Sequence, residues 1–224
     1  MRDASGSFGG TPVSVKPSPS VGALYGTGLA LNAAGTTLAI GAPTETVGQG
    51  AVYVCTDPAG TGFWGLNQKL SANALGFSIN SNFGSRVALN SAGDTLAIGA
   101  PNHSADKGGF IVFVLVVSWT AQSSILLPPS ISGSPQVGMS LALNAAGDMI
   151  AVGGTLDIAQ GANAGAVFTY KRDAGGVWSY VQKLLPSDSV NSFSREFGIA
   201  VALSANGNTL IIGAEEEAGT GAWW

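Results

Sequence analysis

A segment of 19 residues occurs four times in this chain, and this repetition limits the possible folds more than any other feature. The four copies span residues 25–43, 83–101, 137–155 and 197–215. The glycine at the second position of each copy recurs at spacings of 58, 54 and 60 residues. Because self-similarity at a nearly fixed period is the signature of repeat architectures, the chain is predicted to be an array of similar supersecondary units.

The pattern inside each copy predicts two β-strands joined by a tight turn. In the first copy Leu29 and Leu31 alternate with small residues, and Leu38 and Ile40 do the same after the turn. Alternation with a period of two predicts strands with one face in a core. Gly35, at the end of the turn, supplies the positive φ that a tight hairpin needs.

Two further strands are predicted after each of the first three copies. A variable loop is followed by apolar strands at 50–54, 109–113 and 165–170. Four antiparallel strands in roughly 55–60 residues, repeated along the chain, are typical of β-propeller blades. Because the tryptophans near the fourth strand recur at one blade position, we expect them to fill space between blades rather than to stack on a carbohydrate. These tryptophans are Trp64, Trp119 and Trp178.

We therefore predict an all-β fold, a β-propeller of four-stranded antiparallel blades, in one domain over residues 1–224. Residues 11–15 fall where an outer strand belongs, and 221–224 begin a third strand where the chain stops. This favours three complete blades and one blade split between the termini. A truncated chain, or a half-ring completed by another copy, is the alternative. The predicted blades are about 25–82, 83–136, 137–196, and 197–224 together with 1–24.

Two short motifs in the repeats resemble the landmarks of a known family. Phe83-Gly84 opens one strand, and Gly99-Ala100-Pro101 closes the next. Together they are similar to FG-GAP repeats, which form the propeller of integrin α-subunits. The resemblance implies blades around an axis and a role in adhesion or recognition. The departures from it are Tyr25, Val137, Gly154-Thr155 and Ala214-Glu215.

The turn between the first two strands differs from the corresponding family loop. The family carries an aspartate-rich calcium loop there, whereas this chain has only Asp94 and Asp148, one in each of two copies. Calcium takes six to eight oxygen ligands. We therefore expect no calcium cage and no other cofactor.

The composition excludes several classes of partner. The net charge is −4, and only 10% of the residues are charged. Nucleic-acid binding needs clustered basic residues, so it is not expected. The apolar run 110–117 is far shorter than the ~20 residues of a membrane helix. A weakly charged surface favours an extracellular, cell-surface or virion protein, with no membrane insertion.

The sequence offers little for catalysis. His103, the single histidine, lies in a variable loop beside Ser104 and Asp106, and neighbours in one loop rarely form a catalytic relay. We expect it to be solvated. Cys55 follows an apolar strand and is expected to be a buried small residue. The prediction is therefore that the chain is not an enzyme.

The variable loops are then the expected functional surface, because binding residues concentrate on loops held by a rigid scaffold. The first hypothesis is a binding or adhesion module for a protein or glycan ligand, with other copies of the chain as further partners. The second is a structural component of a fibre, tail or capsid decoration, and the third is a glycan-active propeller enzyme. The candidate contact residues are Glu45, Gln49, Asn102, His103, Asp106, Lys107, Asp157, Glu215, Glu216 and Glu217.

Overall fold

The computed structural model describes residues 15, 17–160, 163–186 and 196–215, and it confirms the all-β prediction. Three sheets have four strands each, and every strand pairs antiparallel with its neighbour along the chain. We call these sheets blades one, two and three. Blade one consists of β1 (Leu29–Leu31), β2 (Thr37–Ala42), β3 (Ala51–Thr56) and β4 (Gly65–Ser71).

Blades two and three repeat this order, and a fourth sheet contains the first two strands of a further blade. Blade two has β5 (Arg86–Leu89), β6 (Thr95–Gly99), β7 (Phe110–Leu115) and β8 (Trp119–Ala121). Blade three has β9 (Ser140–Leu143), β10 (Met149–Gly154), β11 (Ala166–Arg172) and β12 (Trp178–Leu184). The fourth sheet has β13 (Ala200–Leu203) and β14 (Leu210–Gly213).

Helical structure in the described residues is limited to three single turns. Two of them, α1 (Glu45–Gly48) and α2 (His103–Asp106), follow the second strands of blades one and two. A 3₁₀ turn, Ala72–Leu75, follows β4. The two ends of the predicted split blade, 11–14 and 221–224, lie outside the described residues, and Val15 belongs to no strand. Closure by a shared blade therefore stays a prediction.

Adjacent blades pack face to face through apolar side chains. Ala39 and Val54 of blade one share a core with Leu96 and Phe113 of blade two, and Val87 and Leu89 pack against it. Equivalent clusters join blade two to blade three and blade three to the fourth sheet. Trp119 is buried in the core between blades one and two, and Trp178 is buried in the core between blades two and three.

The two glycine landmarks of the repeats meet at the blade interfaces. Within blade two, the Gly84 N–H donates to the Gly99 carbonyl at 3.0 Å. Across the interface, a Cβ atom on Gly41 of blade one would strike the Gly84 carbonyl oxygen. Gly99 and Gly138 repeat this contact between blades two and three. The absence of a side chain is therefore what lets neighbouring backbones approach at this point.

The hairpin turns of the innermost strands also join blade to blade. The amide of Ala33 donates to the Ser91 carbonyl at 3.2 Å, Ser91 to Ala145 at 3.2 Å, and Ala145 to Ala205 at 3.0 Å. Each of the first three turns is held internally by a buried asparagine whose side-chain oxygen accepts backbone N–H bonds, as Asn90 does from Gly93, Asp94 and Thr95. A line of hydrogen bonds thus runs along the inner edge of the four sheets.

The glycine contact predicts a sharp difference between two substitutions. Gly41→Ala should destabilise the fold by about 1–3 kcal/mol, the usual effect of adding a group to a packed interior. Gly65→Ala is the matched control, since its added Cβ would have only the Thr56 carbonyl oxygen nearby, at 3.9 Å. Neither glycine has a positive φ, so both substitutions test space alone. Equal urea midpoints for the two variants would contradict the prediction.

Candidate functional site

The loops that differ most between blades lie on one face of the propeller. The segment before each innermost strand reaches back to the blade that precedes it, as shown by the bridges Gly50 to Phe83, Gly108 to Val137 and Gly165 to Phe197. The turns that follow β2, β6 and β10 lie beside these segments. We call this the upper face.

In blade one the upper face is fastened by a buried ion pair. Glu45 accepts a hydrogen bond from Lys69 Nζ at 2.8 Å and another from the Ser20 N–H at 3.1 Å. Glu45 therefore connects its own turn to strand β4 and to the segment before β1. Burial alone raises its pKa, but the hydrogen bonds from Lys69 and Ser20 outweigh this effect and hold the pKa of Glu45 below its ordinary value.

Blade three repeats the arrangement at the equivalent positions. Asp157 accepts from Lys183 Nζ at 2.8 Å and from the Ser132 N–H at 3.0 Å. Both carboxylates are buried. Glu45 and Asp157, expected on exposed binding loops, lie in the interior because each is the hydrogen-bond acceptor that ties three chain segments together.

These pairs predict unequal effects of removing the two lysines. Lys183→Met leaves Asp157 as an unpaired, fully buried charge and should cost about 3–5 kcal/mol. Lys69→Met should cost less, because the Lys69 side chain is 36% exposed compared with 12% for Lys183. The exposed Lys171→Met is the control and should change stability little. Urea denaturation measures all three, and an equal loss for Lys183 and Lys171 would contradict the role of the pair.

Blade two departs from this pattern, with His103 at the position of Glu45 and Asp157. The Ser78 N–H donates to His103 Nδ1 at 3.1 Å, and Ser78 Oγ lies 3.2 Å from the same nitrogen. The Ser104 N–H in turn donates to Ser78 Oγ at 3.2 Å. The imidazole packs edge-on against the Phe77 ring, with centroids 5.1 Å apart. The expectation of a solvated loop histidine is therefore wrong, because the ring is half-buried and bonded.

The protonation state of His103 follows from these contacts. Burial lowers the pKa of the imidazole below its ordinary value of 6.5, so the ring is neutral at pH 7. Because Nδ1 accepts the Ser78 N–H, the ring proton is on Nε2. The Ser78 hydroxyl lies 3.2 Å from the same nitrogen, and a serine hydroxyl within reach of a neutral imidazole is the pairing that a nucleophile and a general base require.

The backbone around this pair adopts left-handed conformations that side chains other than glycine rarely take. Asn80 and Asn82 have φ values of 61° and 55°, on the segment that carries Ser78. Ser104, Ala105 and Asp106 have values of 53°, 55° and 63° on the facing turn. Such residues persist only where the surrounding structure holds them in place. Thr46 and Val47 show that the turn of blade one is strained in the same way.

A chain of polar side chains borders the pair. Asn82 Nδ2 donates to Asn102 Oδ1 at 2.6 Å, and Asn102 Nδ2 donates to Asp106 Oδ1 at 2.6 Å. Lys107 is exposed at the end of the same turn. Three of the predicted contact residues, Asn102, His103 and Asp106, are thus brought together.

The other candidates lie apart from the pair. Gln49 follows the α1 turn and its Nε2 approaches Asn73 Oδ1 at 3.5 Å. Glu215 is exposed at the end of the described chain, and Glu216 and Glu217 lie outside the described residues. Within the described ranges, no group of three or more histidine, cysteine, aspartate or glutamate side chains converges on a metal position.

Sequence reasoning missed Ser78. It looked for a partner of His103 among its neighbours in the loop, whereas Ser78 precedes it by 25 residues. A signal was present, since Ser20, Ser78 and Ser132 each stand five residues before the start of a repeat copy. In blades one and three that serine contributes only its backbone N–H to the buried carboxylate.

Comparisons with known proteins identify the fold. No family model matches the chain, and no curated protein does. Among solved structures, a periplasmic gluconolactonase from Pseudomonas aeruginosa is similar, with a TM-score of 0.52 and 17% identity. The alignment covers 87% of this chain and 55% of that one, so this chain spans about half the length of the lactonase. The likeness supports the β-propeller fold.

The comparison also corrects the functional prediction. The chain was expected to be a non-enzymatic binding or adhesion module, or else a structural part of an assembly. The expectation of a non-enzymatic module is contradicted, because the similar structure is a propeller enzyme, in line with the third hypothesis. The prediction had rested on the lack of a catalytic partner for His103 among the neighbouring residues of its loop. No helix in the described part of the chain is long and apolar enough to cross a membrane.

Proposed function

We propose that this propeller is a hydrolase of lactone or ester bonds in sugar-derived substrates, with Ser78 as nucleophile and His103 as general base. The observation that carries the proposal is the 3.2 Å contact between Ser78 Oγ and His103 Nδ1. It occurs at an upper-face position that holds a buried ion pair in blades one and three. Blade two thus has a serine–histidine pair where the other two blades have a stabilising ion pair, and such a departure from a repeated stabilising feature is expected at functional sites.

The reaction follows from the positions of the two side chains. Ser78 Oγ attacks the carbonyl carbon, and its proton passes to Nδ1 of His103. The C–O bond to the leaving oxygen then breaks, and the imidazolium returns the proton to that oxygen. Water next attacks the carbonyl carbon of the Ser78 ester and gives a proton to His103. The bond from that carbon to Ser78 Oγ then breaks, the imidazolium returns the proton to Oγ, and the hydroxy acid leaves.

The polar chain beside the pair supports a sugar-derived substrate. Asn102 and Asp106 present amide and carboxylate atoms, which hydrogen-bond to the hydroxyl groups of a polyol. Both are accessible, since Asp106 is exposed and Asn102 is half-buried. The lactonase with the similar fold is named for an internal ester of a sugar acid, and such an ester combines a reactive carbonyl with several hydroxyls.

Removal of the nucleophile tests the proposal. With glucono-δ-lactone as probe and acid release followed at constant pH, Ser78→Ala and His103→Gln should each lower kcat/KM by roughly 10²–10⁴-fold, the usual contribution of such groups. Ser118→Ala, an exposed serine outside the site, is the control and should keep full activity. Melting temperatures show that the variants are folded. If the unmodified protein does not exceed the spontaneous rate, or Ser78→Ala retains it, the proposal is wrong.

The pH dependence gives a second test. His103 acts as a base only when neutral, a form that is lost as the pH falls through its pKa. Because burial lowers that pKa below 6.5, kcat/KM should stay level at neutral pH and decline only below an inflection under 6.5. An inflection above 6.5 would contradict the role of His103.

We also propose that the chain is related to FG-GAP repeat proteins and acts outside the cytoplasm without a metal. The kinship is supported by the buried Phe83 and by the contact of Gly84 with Gly41 and Gly99, which give both landmarks a structural reason. The location is supported by the weakly charged surface and by the periplasmic location of the similar lactonase.

A further inference from the structure

The turn that carries Ser78 also presents an apolar side chain that the proposed chemistry does not use. Ser78 begins a four-residue turn in which the Ser81 N–H donates to the Ser78 carbonyl at 3.2 Å. Asn80, at the third position, has a φ of 61°, the positive value that a type II turn requires there. Ile79 occupies the second position, and its side chain is 66% exposed. The residue directly after the proposed nucleophile is therefore a large apolar side chain in contact with water.

Hydrogen bonds hold this turn in place from two sides. The Ser78 N–H donates to His103 Nδ1 at 3.1 Å, and Ser81 Oγ donates to the Gln49 carbonyl at 3.0 Å. Ser81 is itself fully buried. Because the backbone on both sides of Ile79 is bonded, the fold keeps the isoleucine side chain at the surface of the site.

A second exposed apolar residue lies on the neighbouring turn of blade one. A Cβ atom on Gly48 would strike Asn80 Oδ1, so the α1 turn packs directly against the turn of blade two. Val47, which precedes Gly48, is 87% exposed. Glu45 is the only charged residue on these two turns, and its carboxylate is buried. We call the surface formed by Ile79 and Val47 the apolar flank.

The turn that carries His103 is polar instead. Asn102 precedes the histidine, and its Nδ2 donates to the exposed Asp106 at 2.6 Å. Asn82 extends this polar chain through its bond to Asn102. A molecule bound with its carbonyl carbon at Ser78 Oγ can thus contact amide and carboxylate groups along one turn and hydrocarbon along the other.

We infer that the substrate of this site is amphiphilic, a lactone or ester whose hydroxyl-bearing part binds Asn102 and Asp106 and whose hydrocarbon chain lies over Ile79 and Val47. This inference rests on the function proposed above and specifies its substrate class. A chain on the apolar flank removes apolar surface of both partners from water, which favours binding in proportion to the area covered. A sugar lactone without an alkyl chain would leave the flank uncovered.

Two lactones with the same ring and different side chains test this inference. They are δ-hexalactone, which carries a methyl group, and δ-decalactone, which carries a pentyl group. For the unmodified protein, kcat/KM should be roughly tenfold or more higher for δ-decalactone, because each fully buried methylene contributes about fourfold and the flank covers the chain on one side.

Substitutions on the flank should remove this preference. Ile79→Ser should reduce it to about threefold or less, because most of the apolar area is lost, while kcat/KM for δ-hexalactone stays nearly unchanged. Val47→Asn should reduce it as well, and asparagine tolerates the φ of 56° at this position. Val117→Ser is the control and should keep the full preference, since Val117 is 95% exposed on the hairpin between β7 and β8, away from the site.

The results separate this inference from the proposed function. Ser78-dependent hydrolysis with equal kcat/KM for the two lactones would overturn the amphiphilic substrate and leave the nucleophile in place. A preference that survives both flank substitutions, or hydrolysis of glucono-δ-lactone but of neither alkyl lactone, would do the same. If no lactone is hydrolysed in a Ser78-dependent way, the proposed function fails, and this inference fails with it. Melting temperatures show that each variant is folded.

Discussion

The close approach of backbone to backbone at paired glycines is the contact on which the rest of this propeller depends. Gly41 has the Gly84 carbonyl where a Cβ would be, and the next two interfaces repeat the contact. This approach brings the sheets near enough for alanines such as Ala39 to be fully buried between them. It also fixes where each segment before an innermost strand meets the turn of the preceding blade. The upper face, and the side chains on it, are therefore positioned by glycines that take no part in its chemistry.

Much of this architecture could be predicted from the sequence, because recurring local patterns determine the strands and turns. The alternating leucines predicted the strands, and the turn ending in Gly35 predicted the hairpin. The residue before each landmark could not be predicted. Leu24, Asn82, Gln136 and Glu196 all have positive φ, from 46° to 55°. Only asparagine has an intrinsic tendency toward that conformation. In Leu24, Gln136 and Glu196 the positive φ is imposed by the interface between blades. Local sequence patterns carry no information about that interface.

The site was harder to predict for a related reason. Asn102, His103 and Asp106 were singled out because they stand in a variable loop, and the structure does bring them together. Ser78 was missed because it precedes the innermost strand of blade two, 25 residues before His103, and only the folding of that blade brings the two side chains together. Glu45 and Asp157 were placed on the surface because acidic residues in polar loops are usually solvated. The lysines that pair with these two carboxylates lie 24 and 26 residues further along the chain.

The exchange of carboxylate for histidine in blade two required a second change. In blades one and three a lysine stands five residues after the tryptophan, as Lys69 and Lys183, whereas blade two has Ser124 there. A lysine beside His103 would compete with the Ser78 hydroxyl for Nδ1, the nitrogen from which Ser78 Oγ lies 3.2 Å. Its charge would also disfavour the imidazolium that forms when the hydroxyl is deprotonated. In the proposed mechanism, the absence of a lysine leaves His103 free to accept a proton at a position where the carboxylates of blades one and three are paired.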